Sequence, residues 1–197
     1  MVACGQTPSP SSPSSTGPVA PGLAGSTTSE SSAPSLAAQG QQQIGFGFNG
    51  TVSGFPKGIV FLTGGGAYDR ATGFVKSGGG FKCLDTVAQG PLSISINPED
   101  PGGCLTGEGV RWDTAALLTD TPFKCTGAGA EAQKTATTSD HTIVIQADLY
   151  RASNGNDESF TAKMIVSDED LDTVRPGVQN LWLQNVGCGT AVVNFSR

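Results

Sequence analysis

Apolar and polar positions alternate with a period of two through most of the chain after residue 43, which predicts strands rather than helices. In Ile44-Gly45-Phe46-Gly47-Phe48-Asn49-Gly50-Thr51-Val52, the positions Ile44, Phe46, Phe48 and Val52 fall on one face. Leu92-Ser93-Ile94-Ser95-Ile96 alternates most cleanly, and the prolines and acids of Asn97-Pro98-Glu99-Asp100-Pro101 then demand a turn. The runs Thr142–Tyr150 and Ser159–Val166 flank Ser153-Asn154-Gly155-Asn156-Asp157, the pattern of a β-hairpin. It places Ile143, Ile145, Ala147 and Leu149 on the same side as Phe160, Ala162, Met164 and Val166.

Other segments break the alternation. Gly58-Ile59-Val60-Phe61-Leu62-Thr63 is continuously apolar and reads as a strand buried on both faces, with a reversing turn at 68–73. Gly107–Asp113 reads as a strand or its entry. Thr114-Ala115-Ala116-Leu117-Leu118-Thr119, which Asp113 or Thr114 could cap, predicts one short helix. Leu181-Trp182-Leu183 and Ala191–Phe195, on either side of Gly187-Cys188-Gly189, predict two strands or one strand with a break. Two triple glycines, Gly64-Gly65-Gly66 and Gly78-Gly79-Gly80, suit sharp sheet curvature. The expected fold is therefore a single all-β domain over 44–197, an antiparallel barrel or sandwich of about eight to ten strands. The glycines favour the barrel. Gly45, Gly47 and Gly50 match the letters of a dinucleotide fingerprint, but no helix is predicted after them.

Residues 1–43 have a different character. From Gln6 to Gln43 the chain is mostly Ser, Pro, Gly, Thr, Ala and Gln, with Glu30 its only charge, and cannot bury enough apolar surface to offset the entropy of ordering. It reads as a tether. Ahead of it, Val2-Ala3-Cys4-Gly5 resembles the end of a bacterial lipoprotein signal, in which small residues precede a cysteine that becomes lipidated. That resemblance implies an acyl anchor at Cys4, membrane attachment without a spanning helix, and an exported protein at the cell envelope. With Cys4 so assigned, Cys83, Cys104, Cys125 and Cys188 form an even set suited to two disulfides in an oxidising compartment. The three pairings stay open, with Cys83–Cys104 and Cys125–Cys188 preferred. A four-thiolate zinc site is the competing reading, but there is no C-x-x-C pair.

Charge narrows the function classes. A formal net charge of -6, with 11 basic residues in no cluster, argues against nucleic acid as a partner. No cofactor motif emerges. His141 is the only histidine, so a Ser-His-Asp triad is formally possible only through it, and no nucleophile elbow accompanies it. Asp168, Glu169, Asp170 and Asp172, and separately Asn154, Asn156, Asp157 and Glu158, are oxygen-rich loop segments of the kind that can hold Ca²⁺, without the EF-hand spacing. Trp112, Tyr150, Trp182 and Tyr68 are candidates to line a ligand pocket or to belong to the core. The expected function is a non-enzymatic surface module that binds a small apolar ligand or a protein partner. An exported hydrolase with paired carboxylates, or a structural envelope component, is the alternative.

Overall fold

A computed structural model of the chain describes residues 43–87, 104–153 and 156–197, and the side chains of all of these except 151–160. Eleven strands succeed one another: β1 (Ile44–Gly54), β2 (Ile59–Asp69), β3 (Phe74–Asp85), β4 (Arg111–Leu118), β5 (Asp120–Phe123), β6 (Lys134–Thr137), β7 (Thr142–Ser153), β8 (Asn156–Ser167), β9 (Leu181–Leu183), β10 (Gly187–Gly189) and β11 (Ala191–Ser196). All pairings are antiparallel. Neighbours in the main sheet follow chain order from β1 to β4 and from β7 to β10, and β10 pairs back onto β1. The sheet is thus a closed up-and-down barrel. β5 and β6 pair only with each other and form a hairpin inserted between β4 and β7.

Closure depends on β1 being long. Its C-terminal end pairs Ser53 with Cys188, and its N-terminal part pairs Gly50 with Ala191 and Gly45 with Ser196. These pairs share one register, so β10 and β11 are a single strand broken at Thr190, whose carbonyl still accepts from Thr51 N at 3.2 Å. On the far side Asn180 takes the place of a ladder residue: Ala191 N donates to its Oδ1 and its Nδ2 donates to Ala191 O.

The barrel interior is filled by its own side chains. Ile44, Phe46, Phe48 and Val52 face inward as their alternation requires, and the hairpin registers Ile143↔Val166, Ile145↔Met164, Ala147↔Ala162 and Leu149↔Phe160 are those the pattern predicts. Phe46 contacts Phe48, Tyr68 and Phe195 at centroid distances of 6.4, 6.0 and 6.2 Å, and Phe48 meets Trp112 at 5.9 Å. The polar ends of the two buried large rings are satisfied: Trp112 Nε1 donates to Thr63 O at 3.0 Å and Tyr68 OH to Ser139 O at 2.6 Å. A row of partners runs Phe48, Gly64, Gly79, Trp112, Leu149 across five strands. Gly64 is glycine because the Trp112 indole lies where its Cβ would be. The triple glycines therefore accommodate a large plug as well as curvature.

Two expectations change. Thr114–Leu118 is not helical but belongs to β4, pairing Thr114 with Ala147 and Leu118 with Val144, with a bulge between Thr114 and Ala116. Helix propensity differs between residues by only tenths of a kcal/mol, whereas leaving the β7 edge unpaired would forfeit a ladder of hydrogen bonds. The run at Gly58–Thr63 is buried on one face only: Val60 and Leu62 are buried, Ile59 is exposed and Phe61 half-buried. The strand expected at Leu92–Ile96 and the turn after it lie outside the described residues, as do Cys4, the segment Gln6–Gln42 and Asn154.

Candidate functional site

The second half of the barrel wall carries a second row of side chains, on its outside. Val144 pairs with Ile165, Ile165 with Trp182 and Trp182 with Cys188, so four adjacent strands present buried groups outward in one line. Phe123 and Ala136 of the β5–β6 hairpin pack over them, with Leu118 and Leu171 at the margin. Phe123 and Trp182 meet at a centroid distance of 5.8 Å, and Trp182 Nε1 donates to Lys124 O at 2.8 Å. The Cys125–Cys188 disulfide fastens the hairpin's end to the wall. Room for that contact comes from Gly54 and Gly187, paired across β1 and β10 with φ of 134° and 124°. A Cβ at either would strike the Cys125 carbonyl.

A charged clasp lies beside the disulfide at the same end of the hairpin. Lys134 Nζ lies 3.0 Å from Glu131 Oε1 and 3.0 Å from Asp172 Oδ2, and Asp172 is only 3% exposed. Glu131 also accepts from Cys125 N and Thr126 N, both at 2.7 Å, and from Thr126 Oγ1 at 2.5 Å. Partial burial would raise its carboxyl, but these donors outweigh it and hold the pKa down to about 2. Burial likewise works to lower Lys134, and its hydrogen bonds to the two carboxylates raise it instead. Cys125, Glu131 and Asp172 cluster closely enough to suggest a metal, but the cysteine is in a disulfide and the ammonium already bridges both acids.

Between hairpin and wall a cleft of about 450 Å³ opens, within the range of small-molecule sites. Phe55, Phe123 and Trp182 supply its apolar surface, and Lys124, Lys163, Gln133, Gln184 and Asn185 its polar one. Among the described residues Asn185 is the one non-glycine with positive φ, 61°, in the tight turn from β9 to β10 that Val186 N closes onto Leu183 O. A larger depression, about 760 Å³, is lined by residues of β2, β3 and β4, among them Phe74, Lys76 and Asp113.

The four aromatic candidates do not converge. Trp182 borders the cleft, Trp112 and Tyr68 are in the barrel interior, and Tyr150 carries the Arg111 guanidinium over its ring at 4.7 Å. Burial, and then Asp140, push the Tyr68 phenol up to about 12. Asp140 itself is bracketed by Arg70, at 2.5 Å, and Arg197. His141 Nδ1 is 3.0 Å from Asp168 Oδ2, and this bond holds the imidazole above its ordinary pKa. That is two thirds of a triad, yet among the described hydrogen bonds no serine meets its other nitrogen. The acidic segment disperses: Asp168 goes to His141, Asp170 Oδ1 accepts from Asp172 N and Gln179 N, and Asp172 goes to Lys134. The backbone of Asn156, Asp157 and Glu158 lies in β8, and their side chains fall outside the described residues.

All four cysteines of the domain are consumed in the preferred pairing, Cys83–Cys104 and Cys125–Cys188, which fits an oxidising, exported environment and leaves no thiolate for zinc. Phe55, Lys163, Gln133 and Asn185 carry no signal in the sequence, because they are far apart in the chain and individually ordinary. The pairing of Cys125 with Cys188 was the one signal that the segments around Phe123 and Trp182 meet. No protein-family model, curated protein sequence or solved structure matches the chain.

Proposed function

We propose that the chain is a non-enzymatic binding module at the bacterial cell surface, lipid-anchored through Cys4, whose ligand sits in the outer cleft and not in the barrel. The single observation that carries this is the cleft itself: an aromatic-sided, amide-rimmed cavity with no carboxylate among its described lining residues, on a frame locked by a disulfide. A preorganised site of this kind loses little entropy when it is filled. The barrel is a poor alternative for an apolar ligand, because Phe46, Phe48, Trp112 and their neighbours occupy it. The hydrolase reading is weaker for a chemical reason. Among the described residues Glu131 and Asp172 are two carboxylates drawn to a common group, but Lys134 bridges them and Glu131, held near 2, is no acid poised near neutral pH.

The test is a thermal-shift screen of the full chain against small soluble envelope and environmental compounds, repeated on Gln133→Trp. Gln133 is exposed on the cleft wall, so the added ring fills the cleft without entering a core. Compounds that raise the melting temperature of the parent and lose that effect in Gln133→Trp are the expected result. An empty screen, or hits indifferent to the substitution, would remove the cleft as the site. For the anchor, Cys4→Ser in the exported protein is expected to abolish incorporation of a labelled fatty acid, and label retained by the variant would refute it.

A further inference from the structure

The cleft has a charge opposite to that of the molecule. The chain has 17 acidic and 11 basic residues, yet the charged residues lining the cleft are two lysines, Lys124 and Lys163. Both are half-buried, and neither forms an ion pair with a described residue. Lys134, on the same hairpin, contrasts with them: its ammonium is spent on Glu131 and Asp172. An ammonium held at a partly buried surface without a counter-charge is a ready partner for an anion. Two neighbouring amides add both donors and acceptors: Gln133 and Gln184. Gln184 is oriented, because its Oε1 accepts from Lys163 N at 3.0 Å, which turns its NH₂ into the remaining donor. Apolar ring surface comes mainly from the half-buried Phe55, with the nearly buried Phe123 and Trp182, each 4% exposed, at the cleft's margin.

We infer that the cleft takes an acidic saccharide, a pyranose ring carrying a carboxylate. The inference rests on the cleft being a binding site as proposed above. Each part of such a ligand has a counterpart: ring C–H groups against the aromatics, hydroxyls on the amides, and the carboxylate on the two ammonium groups. A neutral sugar would leave the lysines unused, and an aromatic acid would leave the amides unused.

Isothermal titration of the full chain with trigalacturonate, maltotriose and benzoate separates these cases. Trigalacturonate is expected to bind about tenfold more tightly than either of the others, the scale of one charge-assisted hydrogen bond, and to weaken as salt is raised. The Lys124→Gln/Lys163→Gln double variant is expected to keep its melting temperature and lose the preference over maltotriose, and Gln133→Trp to bind none of the three. Equal binding of trigalacturonate and maltotriose, benzoate matching trigalacturonate, or a preference that survives the double variant would each overturn the inference. If other compounds engage the cleft by the Gln133→Trp criterion while trigalacturonate does not, the binding site stands and the acidic saccharide falls. If nothing engages it, both fall.

Discussion

Two rows of side chains cross this barrel wall, and they are stabilised in opposite ways. The inner row, Phe48, Gly64, Gly79, Trp112 and Leu149, is closed on all sides by the barrel, and burial of large rings holds it. The outer row, Val144, Ile165, Trp182 and Cys188, faces only a two-stranded sheet. It is covered by a four-residue-per-strand hairpin that could not stay there through apolar contact alone. The cover is held at one end, where the disulfide and the Lys134 clasp lie side by side. Phe81-Lys82-Cys83 and Phe123-Lys124-Cys125 are the same triplet in the two settings: Phe81 and Cys83 enter the barrel core, Phe123 and Cys125 the outer cluster. A small cover on cross-links leaves an edge where hairpin and wall do not meet. The candidate binding cleft is that edge.

The contrast can be broken at its strongest point by Trp112→Ala, which removes the plug of the closed row. It should cost about 4 to 5 kcal/mol in denaturant unfolding and lower every probe of the barrel together. Replacing both Cys125 and Cys188 by Ser should cost about 4 kcal/mol by the loop-entropy relation, a little more than opening Cys83–Cys104, because the closed loop is longer. The sharper expectation concerns place. Hydrogen exchange should accelerate in β5 and β6 while β7 and β8 stay protected, and uniform loss of protection would mean that the two rows are one cooperative unit.

Lys134→Met should cost about 2 to 3 kcal/mol, since it strands Asp172 in a buried position, and Lys134→Met/Asp172→Leu should recover most of that. Acid acts on the same clasp more gently. Glu131 has a folded pKa of about 2 against 4.5 for the free group, so its stabilisation is complete above about pH 4.5 and is lost as pH falls toward 2. After allowance for solvent screening, the loss should be about 2 kcal/mol, felt by the hairpin first, and Glu131→Gln should flatten the profile in that window. The smallest effect belongs to His141. Its raised pKa makes the Asp168 contact a stabilising one below about pH 6.5 that fades as pH rises through the folded value, and His141→Gln should remove that slope from the melting curve without touching the hairpin.

Much of this was written in the order of residues. The long alternating runs determined the strands, the inward faces of β1, β7 and β8, and the hairpin register, because a period of two leaves one solution when one face is buried. Even the outer cluster had a local sign: Ile143-Val144-Ile145, Met164-Ile165-Val166 and Leu181-Trp182-Leu183 each interrupt alternation with an apolar residue that turns out to face the hairpin. The same sign misled at Ile59-Val60-Phe61, where Ile59 is exposed and Phe61 only half-buried. Composition cannot say which outer face gains a cover. Likewise Ala115-Ala116-Leu117-Leu118 carries a helical preference too slight to outweigh an open strand edge supplied by β7, more than twenty residues along the chain. Tertiary structure alone decided that β10 and β11 close on β1, that Trp112 rests on Gly64, and that Phe55, Lys124, Lys163 and Trp182 border one cleft. Those are contacts between segments far apart in the chain, and their free energy depends on where the strands lie, which no local pattern encodes.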